Sequence, residues 1–347
     1  MHYKVSDDIC ELKSLLIELK TTYPDYAFVS YIDGEFGIRA WLYNSYVKMF
    51  VDEIKDQNIQ IVGLCFIGHK CFLGHLCDHV IEVQSTCFNN ITNAESIDNS
   101  HTSLNHAKLD FVPSNKYAGT DGWDLTYIRG IHNDEYENML KEIDFANIFY
   151  TTHCDGARLI NVYNQIYVGN NMRVILYKCN NNQIKEQVHL DYICSRYREH
   201  ISNIISSNEV IINNNIAIWI RNTNKWPERN ISPSVYLKLF DYCITNNKTL
   251  HVFQDLIPIK LPTSEYIIEC NYRLNNIPDF DKFKEICDMC CMYIGVASGP
   301  LYIANSLCNI YTICLGRDKY NFFCENKNNI TIEQTDLVNV VHSIFTR

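Results

Sequence analysis

The sequence predicts an α/β protein with two domains, and three observations lead to this prediction. The chain has 347 residues, which is longer than one typical domain. Short apolar runs alternate with helical segments in both halves, as expected for strands joined by crossover helices. Residues 180–187 between the halves contain one apolar side chain, which is typical of a linker. We therefore expect one domain at 1–180 and a second at 187–347.

The second half carries the clearer pattern. Apolar runs of strand length occur at 216–220, 250–253, 266–269, 292–296 and 310–315. Helical segments are expected at 232–245, 279–289, 300–307 and 336–345. Ser232 before Pro233 is a typical start of the first of these helices. Strands that alternate with helices imply right-handed crossovers and a parallel sheet, so we expect a Rossmann-like domain here.

The first half begins in the same way. Strands are expected at 26–32, 59–66, 79–83, 146–150 and 173–177, with helices at 12–19 and 38–55. A polar stretch at about 86–129, rich in Asn, Ser and Gly, interrupts this pattern. A loop of that length is usually a functional insertion or a disordered segment. We therefore expect an α/β domain that carries a polar insertion.

The amino-acid composition indicates which partners the protein does not bind and in which cellular compartment it is expected. The formal charge of −10 argues against nucleic acid, because proteins that bind its backbone carry clustered Lys and Arg. No apolar stretch approaches the roughly 20 residues of a membrane helix, and the acidic start MHYKVSDDICELK does not resemble a signal peptide. The 16 cysteines lie in apolar segments, as buried free thiols do in a reducing compartment. We expect a cytoplasmic protein with no transmembrane segment.

A basic segment directly follows the apolar run at 216–220. It contains Arg221 and Lys225. Ligands of open α/β sheets bind beyond the carboxyl ends of the strands, where a guanidinium can hold a diphosphate through two hydrogen bonds. Both side chains are therefore candidates for binding phosphate. The alternative is a solvated basic turn, which is common after a strand.

Small residues follow the apolar run at 292–296. Ala297, Ser298 and Gly299 precede Pro300, which is typical of the first turn of a helix. Small side chains let the backbone approach a ligand, and the amides at a helix N-terminus bind anions. Ser298 adds a hydroxyl donor. The alternative is that these residues serve packing only.

A glycine-containing turn follows the first long strand, in the segment YIDGEFGIRAW. Gly34 and Gly37 shape a tight turn that carries Asp33, Glu35 and Arg39. Either carboxylate is a candidate general base, provided that an apolar wall raises its pKa towards the working pH. The alternative is an acidic residue that caps the next helix.

These three segments resemble those of GT-B glycosyltransferases, especially the fucosyltransferase-like and heptosyltransferase-like groups. Arg221, Asn222, Thr223 and Asn224 are similar in outline to a His-x-Arg-Arg-Thr-Asp-like motif, although its histidine and second arginine are missing. In fucosyltransferases the arginine of that motif holds the β-phosphate of a GDP-sugar. The DGEFG turn resembles an acceptor-side loop, and IGVASGPLYIA resembles the turn and helix that hold the donor diphosphate.

The resemblance implies two Rossmann-like domains that face a cleft, with the acceptor bound by the first and the donor by the second. It implies transfer of a sugar from a nucleotide-diphosphate donor, for example a GDP-linked one, to a glycan or other acceptor. The donor is a substrate, and neither a cofactor nor a metal is needed. The implied bases are Asp33 and Glu35. The implied substrate-binding residues are Gly34, Gly37, Arg39, Arg221, Thr223, Lys225, Ser298 and Gly299.

Two other functions share this architecture and stay open at this point, namely a nucleotide-sugar epimerase and a non-catalytic nucleotide- or sugar-binding protein. A dehydrogenase is disfavoured because no G-x-G-x-x-G follows an expected strand.

Thiols and imidazoles alternate in one short span, formed by Cys65, His69, Cys71, His75, Cys77 and His79. Zinc needs four converging ligands, which this run supplies only if the chain curls tightly. Apolar neighbours such as Phe66, Phe72 and Val80 favour strands and loops with these residues in a core. Core packing is therefore the favoured interpretation, and zinc is the alternative.

Overall fold

The computed structural model describes most of the chain in two compact units. Described residues up to 186 belong to the first unit and those from 210 onward belong to the second. The described ranges are 1–5, 8–32, 44–54, 58–84, 87, 134–153, 173–179, 183–186, 210–223, 227–255, 257–274, 277–316 and 328–346.

The first unit is built on a seven-stranded sheet. Its strands are β1 (His2–Val5), β2 (Ala27–Ser30), β3 (Ile61–Phe66), β4 (His79–Val83), β5 (Asn147–His153), β6 (Arg173–Cys179) and β7 (Gln183–Glu186). Their order is β1-β4-β3-β2-β5-β6-β7. The pairs from β1 to β5 are parallel, and the pairs β5-β6 and β6-β7 are antiparallel. Its helices are α1 (Ile9–Thr22), α2 (Asn44–Ile54) and α3 (Asp134–Ile143), with a 3₁₀ turn at Lys70–Phe72.

Burial explains why these segments take these forms. Every residue of β3 is buried, as expected for a strand covered on both faces. Helix α1 begins after Asp8, whose carboxylate accepts a hydrogen bond from the Cys10 amide at 2.8 Å. Its buried side chains, Leu12, Leu16 and Leu19, recur at helical spacing and face the core.

The second unit is built on a six-stranded sheet in which every strand pair is parallel. Its strands are β8 (Asn215–Ile220), β9 (Thr249–Gln254), β10 (Ile267–Glu269), β13 (Met292–Gly295), β14 (Tyr311–Leu315) and β15 (Asn329–Ile332). A separate antiparallel pair joins β11 (Arg273–Leu274) and β12 (Ile277–Pro278). The helices are α4 (Pro233–Thr245), α5 (Phe280–Asp288), α6 (Gly299–Leu307) and α7 (Leu337–Phe345), and 3₁₀ turns lie at Pro227–Arg229 and Gln334–Asp336.

The order of this sheet is that of a doubly wound fold. It runs β10-β9-β8-β13-β14-β15, so the chain starts in the middle, moves outward to one edge and then returns to build the other side. The order reverses between β8 and β13, which are hydrogen-bonded neighbours. This is the topological switch point at which ligands of open α/β sheets bind.

The two faces of the second sheet are covered by different side chains. On one face, aliphatic residues of the strands pack with those of α4 and α7, including Leu239 and Val341. On the other face, an aromatic group joins Trp219 and Phe253 to Phe283 of α5, with ring centroids 5.7 Å and 4.8 Å from the Phe283 ring. The four inner strands β8, β9, β13 and β14 are thus largely buried on both faces, which accounts for their apolar runs in the sequence.

The predicted α/β class is confirmed, with two sheets that are largely or wholly parallel. The strands and helices expected in the second half are present within one or two residues of their predicted limits. The strands β1, β7, β11, β12 and β15 and the helix α3 have no counterpart among the predicted elements. Of the helix expected at 38–55, residues 44–54 are described and helical, and the predicted insertion at 86–129 lies outside the described residues apart from Cys87.

The segment expected to be a linker differs in the structure. Residues 183–186 form β7, which pairs with β6 as the edge of the first sheet. Edge strands often carry polar and charged side chains, so the sequence QIKE has little apolar signal. The first sheet therefore continues past residue 180, and the domain limits 1–180 and 187–347 stay predictions.

Among the described residues, no helix has the length and apolar character needed to cross a membrane.

Candidate functional site

The carboxyl ends of β8 and β13 lie side by side at the switch point of the second sheet. The two strands are parallel, with Ile216 opposite Met292 and Ile218 opposite Ile294. Counting forward from these pairs places Arg221 level with Ala297, just beyond the end of each strand. The basic turn and the small-residue turn identified in the sequence are therefore brought to one edge of one sheet.

Arg221 begins a turn that is fixed by its backbone. The residue is half-buried, and its carbonyl accepts a hydrogen bond from the Ile231 amide at 3.3 Å. The next residue, Asn222, donates its amide to Asp255 Oδ2 at 3.0 Å and its side-chain nitrogen to the Ile257 carbonyl at 2.9 Å. The hydrogen bonds from Ile231 and to Asp255 and Ile257 thus fix the backbone that carries the Arg221 guanidinium.

Thr223 is buried and is held by Asn230. Its amide donates to Asn230 Oδ1 at 3.2 Å, and its carbonyl accepts from Asn230 Nδ2 at 2.9 Å. Asn230 is in turn held by Gln334, which donates to its carbonyl at 3.2 Å. The contacts of Thr223 indicate a part in shaping the turn. Lys225, the second predicted phosphate ligand, lies outside the described residues.

Asp255 is a residue of this site that the sequence analysis did not identify. It directly follows β9, and 7% of its surface is exposed. Its Oδ1 accepts from the indole nitrogen of Trp219 at 3.0 Å, while its Oδ2 holds the Asn222 amide. The carboxylate therefore links the ends of β8 and β9. The available signal was its place immediately after an apolar strand.

Helix α6 begins at the same edge of the sheet. The Ser298 side chain, which precedes the helix, does not cap its first amides. Ser298 has extended backbone angles, and its hydroxyl donates instead to the Val296 carbonyl at 3.0 Å. The amide of Tyr302 donates to the Ser298 carbonyl at 3.2 Å, which closes the first helical turn. The amides that precede it have no partner within the helix, so this end suits an anion. Gly299, the first residue of α6, is buried.

The loop of the predicted base in the first unit lies outside the described residues. That loop includes Asp33, Gly34, Glu35, Gly37 and Arg39. The structure describes the residues that lead into it, and they also lie at a switch point, because β2 pairs with β3 on one side and β5 on the other.

Polar and aromatic contacts fix the chain just before this loop. Ser30 and Tyr136 form a buried hydroxyl pair 2.8 Å apart, and the Tyr31 ring stacks on Phe72 at 5.1 Å.

The cysteine and histidine run is placed in and around the core of the first unit. Cys65, His69 and His79 are buried, and burial raises the pKa of the Cys77 thiol well above its ordinary value. Within the described ranges, no group of three or more His, Cys, Asp or Glu side chains is arranged to hold a metal ion. Asp279 begins an Asp-Phe-Asp sequence at 279–281, and its carboxylate caps α5 by accepting a hydrogen bond from the Lys282 amide at 3.0 Å.

No protein-family model and no curated protein matches the sequence. Solved structures that match include the Escherichia coli heptosyltransferase WaaC with ADP-2-deoxy-2-fluoro heptose, at 8% identity and a TM-score of 0.46, over 92% of this chain and 99% of that one. A family 9 glycosyl transferase from Veillonella parvula matches at 9% identity and a TM-score of 0.48, over 92% and 89%.

The E. coli ADP-heptose heptosyltransferase II matches at 10% identity and a TM-score of 0.45, over 92% and 98%. The predicted resemblance to heptosyltransferase-like proteins is thus found among the structures that match. The resemblance to fucosyltransferase-like proteins stays a prediction.

Proposed function

We propose that this protein is a glycosyltransferase that binds a nucleotide-diphosphate sugar at the switch point of the second sheet. The observation that carries the proposal is the adjacency of β8 and β13. It brings the half-buried Arg221 and the uncapped start of α6 to one edge, and both features favour a diphosphate.

The chemistry of this edge suits departure of a nucleoside diphosphate. Negative charge grows on the leaving phosphate oxygens in the transition state of sugar transfer. Arg221 would meet that charge with N–H donors of a fixed fork, and the first amides of α6 would add neutral donors. Lys225, four residues after Arg221 in the sequence, would supply a second cation. These groups would stabilise the leaving group without a metal ion, as the resemblance implies.

The acceptor and the base are assigned to the first unit. Asp33 and Glu35 follow β2, the strand at the switch point of the first sheet, three and five residues after its last residue, Ser30. One of these carboxylates would take the proton of the attacking hydroxyl, and Gly34, Gly37 and Arg39 would bind the acceptor. The predicted cleft between two domains and the cytoplasmic location are part of the same proposal.

Ligand binding and donor consumption test the function. Purified protein is screened by thermal shift against ADP, GDP, UDP, CDP, CMP and dTDP, because a ligand at about 100 times its Kd stabilises the folded state by about 2.7 kcal/mol. The matching sugar nucleotides are then incubated with and without a panel of sugar acceptors. Release of the nucleoside diphosphate only when an acceptor is present supports a transferase.

Three other outcomes contradict the proposal. Conversion of the donor without an acceptor would identify an epimerase. Binding with no consumption under either condition would identify a binding protein. Failure to bind any of these nucleotides would remove the donor site itself.

Substitution of the two carboxylates tests the assignment of the base. Asp33→Asn and Glu35→Gln should both leave donor affinity unchanged, and one of them should lose most of the turnover. Full turnover in both variants would show that the base lies elsewhere. His153 at the end of β5, the strand beside β2, would then be the next residue to replace.

A further inference from the structure

Asn230 uses both ends of its side-chain amide to hold the turn that follows β8. Its Oδ1 accepts a hydrogen bond from the Thr223 amide at 3.2 Å, and its Nδ2 donates to the Thr223 carbonyl at 2.9 Å. A hydrogen-bonded residue pair in an antiparallel sheet exchanges the same two bonds. The Asn230 side chain therefore takes the place of a backbone partner for Thr223, which is buried.

The residue after Asn230 joins this turn to the core of the second unit. Ile231 is buried among the aliphatic side chains of that core, and its amide donates to the Arg221 carbonyl at 3.3 Å. The chain thus leaves β8 at Arg221 and returns to the same point at Ile231. The backbone of Arg221 is bonded to a residue that packing holds in place.

Gln334 holds the returning segment from its other side. It lies in the 3₁₀ turn Gln334–Asp336, between β15 and α7. Its Nε2 donates to the Asn230 carbonyl at 3.2 Å, and its Oε1 accepts from the Ser232 amide at 2.9 Å. The side-chain amide of Gln334 is therefore also engaged at both ends. Residues 230–232 are in this way bonded to the turn before α7 as well as to the turn after β8.

The turn held by these bonds carries the side chain that the proposed function assigns to the diphosphate. Arginine has a long side chain with many rotamers, and its guanidinium binds two phosphate oxygens only when its planar fork faces them. Ordering a flexible segment during binding costs free energy, whereas a segment that is already held avoids this cost. Asn230 and Gln334 are uncharged, so an effect of either residue on a diphosphate would come from the position of Arg221.

We propose that Asn230, supported by Gln334, is a positioning residue of the donor site, and that it fixes the turn from which Arg221 reaches the diphosphate. This inference rests on the proposed function, because it needs a diphosphate as the ligand of Arg221. It extends the site from the carboxyl ends of the strands to the turn that precedes the last helix.

Binding measured in two backgrounds tests the inference. Asn230→Ala should lower the affinity for a nucleoside diphosphate by about threefold to tenfold, within the usual range of coupling between neighbouring residues. In an Arg221→Ala background the same substitution should change affinity less than about twofold, because the side chain that it positions is gone. A purely structural role would lower stability without this dependence on Arg221. Affinity is measured by calorimetric titration with whichever of ADP, GDP, UDP, CDP or dTDP binds wild type most tightly, and stability by urea unfolding.

Asn246→Ala is the matched control. The Asn246 side-chain amide also donates to a backbone carbonyl, that of Tyr242 at 2.8 Å, but it lies at the opposite end of α4 from Asn230. This substitution should change affinity less than about twofold, as expected for a distant site.

Gln334→Met is a second variant, which keeps the inference testable if Asn230→Ala does not fold. Methionine retains the length of the side chain and removes the hydrogen bonds to Asn230 and Ser232. Because Asn230 then keeps its own bonds to Thr223, the loss of affinity should be smaller than in Asn230→Ala. It should again disappear in the Arg221→Ala background.

Two kinds of result would overturn the inference, and they are distinguishable. In the first, Arg221→Ala binds the nucleotide weakly, but the folded Asn230→Ala or Gln334→Met protein binds it as tightly as wild type, or loses equal affinity in both backgrounds. Asn230 then does not act through Arg221, and the proposed function stands. In the second, wild type binds none of the nucleotides, so the proposed function fails and the role of Asn230 fails with it.

Discussion

Replacement of Asp255 by Asn should destabilise the second unit strongly. The Asp255 carboxylate is buried and accepts two hydrogen bonds, one from the Trp219 indole and one from the Asn222 amide, each at 3.0 Å. Asparagine retains one oxygen acceptor and turns an NH₂ group towards the other donor. One bond is then lost, and two N–H donors face each other in a buried site.

The expected size of the effect follows from these two bonds. A hydrogen bond to a charged group contributes about 1.5–3 kcal/mol, and an unsatisfied buried donor costs a further 1–3 kcal/mol, roughly. Allowing for partial relaxation, the free energy of unfolding should fall by about 2–4 kcal/mol. Affinity for a phosphate is a poor readout here, because removal of the negative charge favours anion binding while disorder of the Asn222 turn opposes it.

The assay is urea unfolding of wild type and variant, monitored by far-ultraviolet circular dichroism. Where two unfolding transitions are resolved, one is fitted for each unit. Asp241→Asn, at an exposed position on α4, is the control and should change stability by no more than about 0.5 kcal/mol. In a Trp219→Phe background, Asp255→Asn should cost less, because one of the two donors is already absent. An Asp255→Asn protein as stable as wild type would refute the role assigned to this carboxylate.

Two further predictions concern the first unit. Gly63→Ala places a Cβ 2.7 Å from Leu73 Cδ1 and 2.8 Å from Cys77 Sγ, so it should lower the free energy of unfolding by about 1–3 kcal/mol. The loss should be smaller in a Leu73→Ala background, and equal losses in wild type and in that background would contradict the contact. Burial, and secondarily the charge of the amino terminus, lowers the pKa of His79 from 6.5. The unfolded chain therefore binds a proton at His79 more readily than the folded protein does, and stability is lost as pH falls below about 6.5. The urea midpoint of His79→Gln should therefore fall less than that of wild type between pH 7.5 and 5.5, and equal losses would exclude His79.

The centre of the second sheet was predictable because its four inner strands, β8, β9, β13 and β14, are largely buried on both faces. The runs at β8 and β13 are apolar throughout, and their alternation with helices implies parallel pairing. The strands that escaped prediction lie at sheet edges, where one side of the backbone has no neighbouring strand and polar side chains are tolerated. β15, with the sequence NITI, has no fully buried residue.

The residues of the candidate site were likewise predictable only in part. Arg221 and Ser298 were predictable because each follows an apolar run, and the carboxyl ends of parallel strands share an edge. The role of Asp255 depends on β9 pairing with β8. That pairing is a property of sheet order, which residue spacing along the chain does not contain.

Calorimetric titration of wild type, Arg221→Lys and Arg221→Ala with nucleoside diphosphates tests the central claim most directly. Wild type should bind at least one of ADP, GDP, UDP, CDP or dTDP, and Arg221→Ala should bind it about 10- to 100-fold more weakly, as expected for loss of a charge-assisted contact of about 1.5–3 kcal/mol. Arg221→Lys should fall between the two, because lysine keeps the charge and loses the planar fork. Lys238→Ala, which removes an exposed charge on α4, should bind as wild type does. Equal affinity in Arg221→Ala and wild type, with both folded, would contradict a diphosphate site at this switch point.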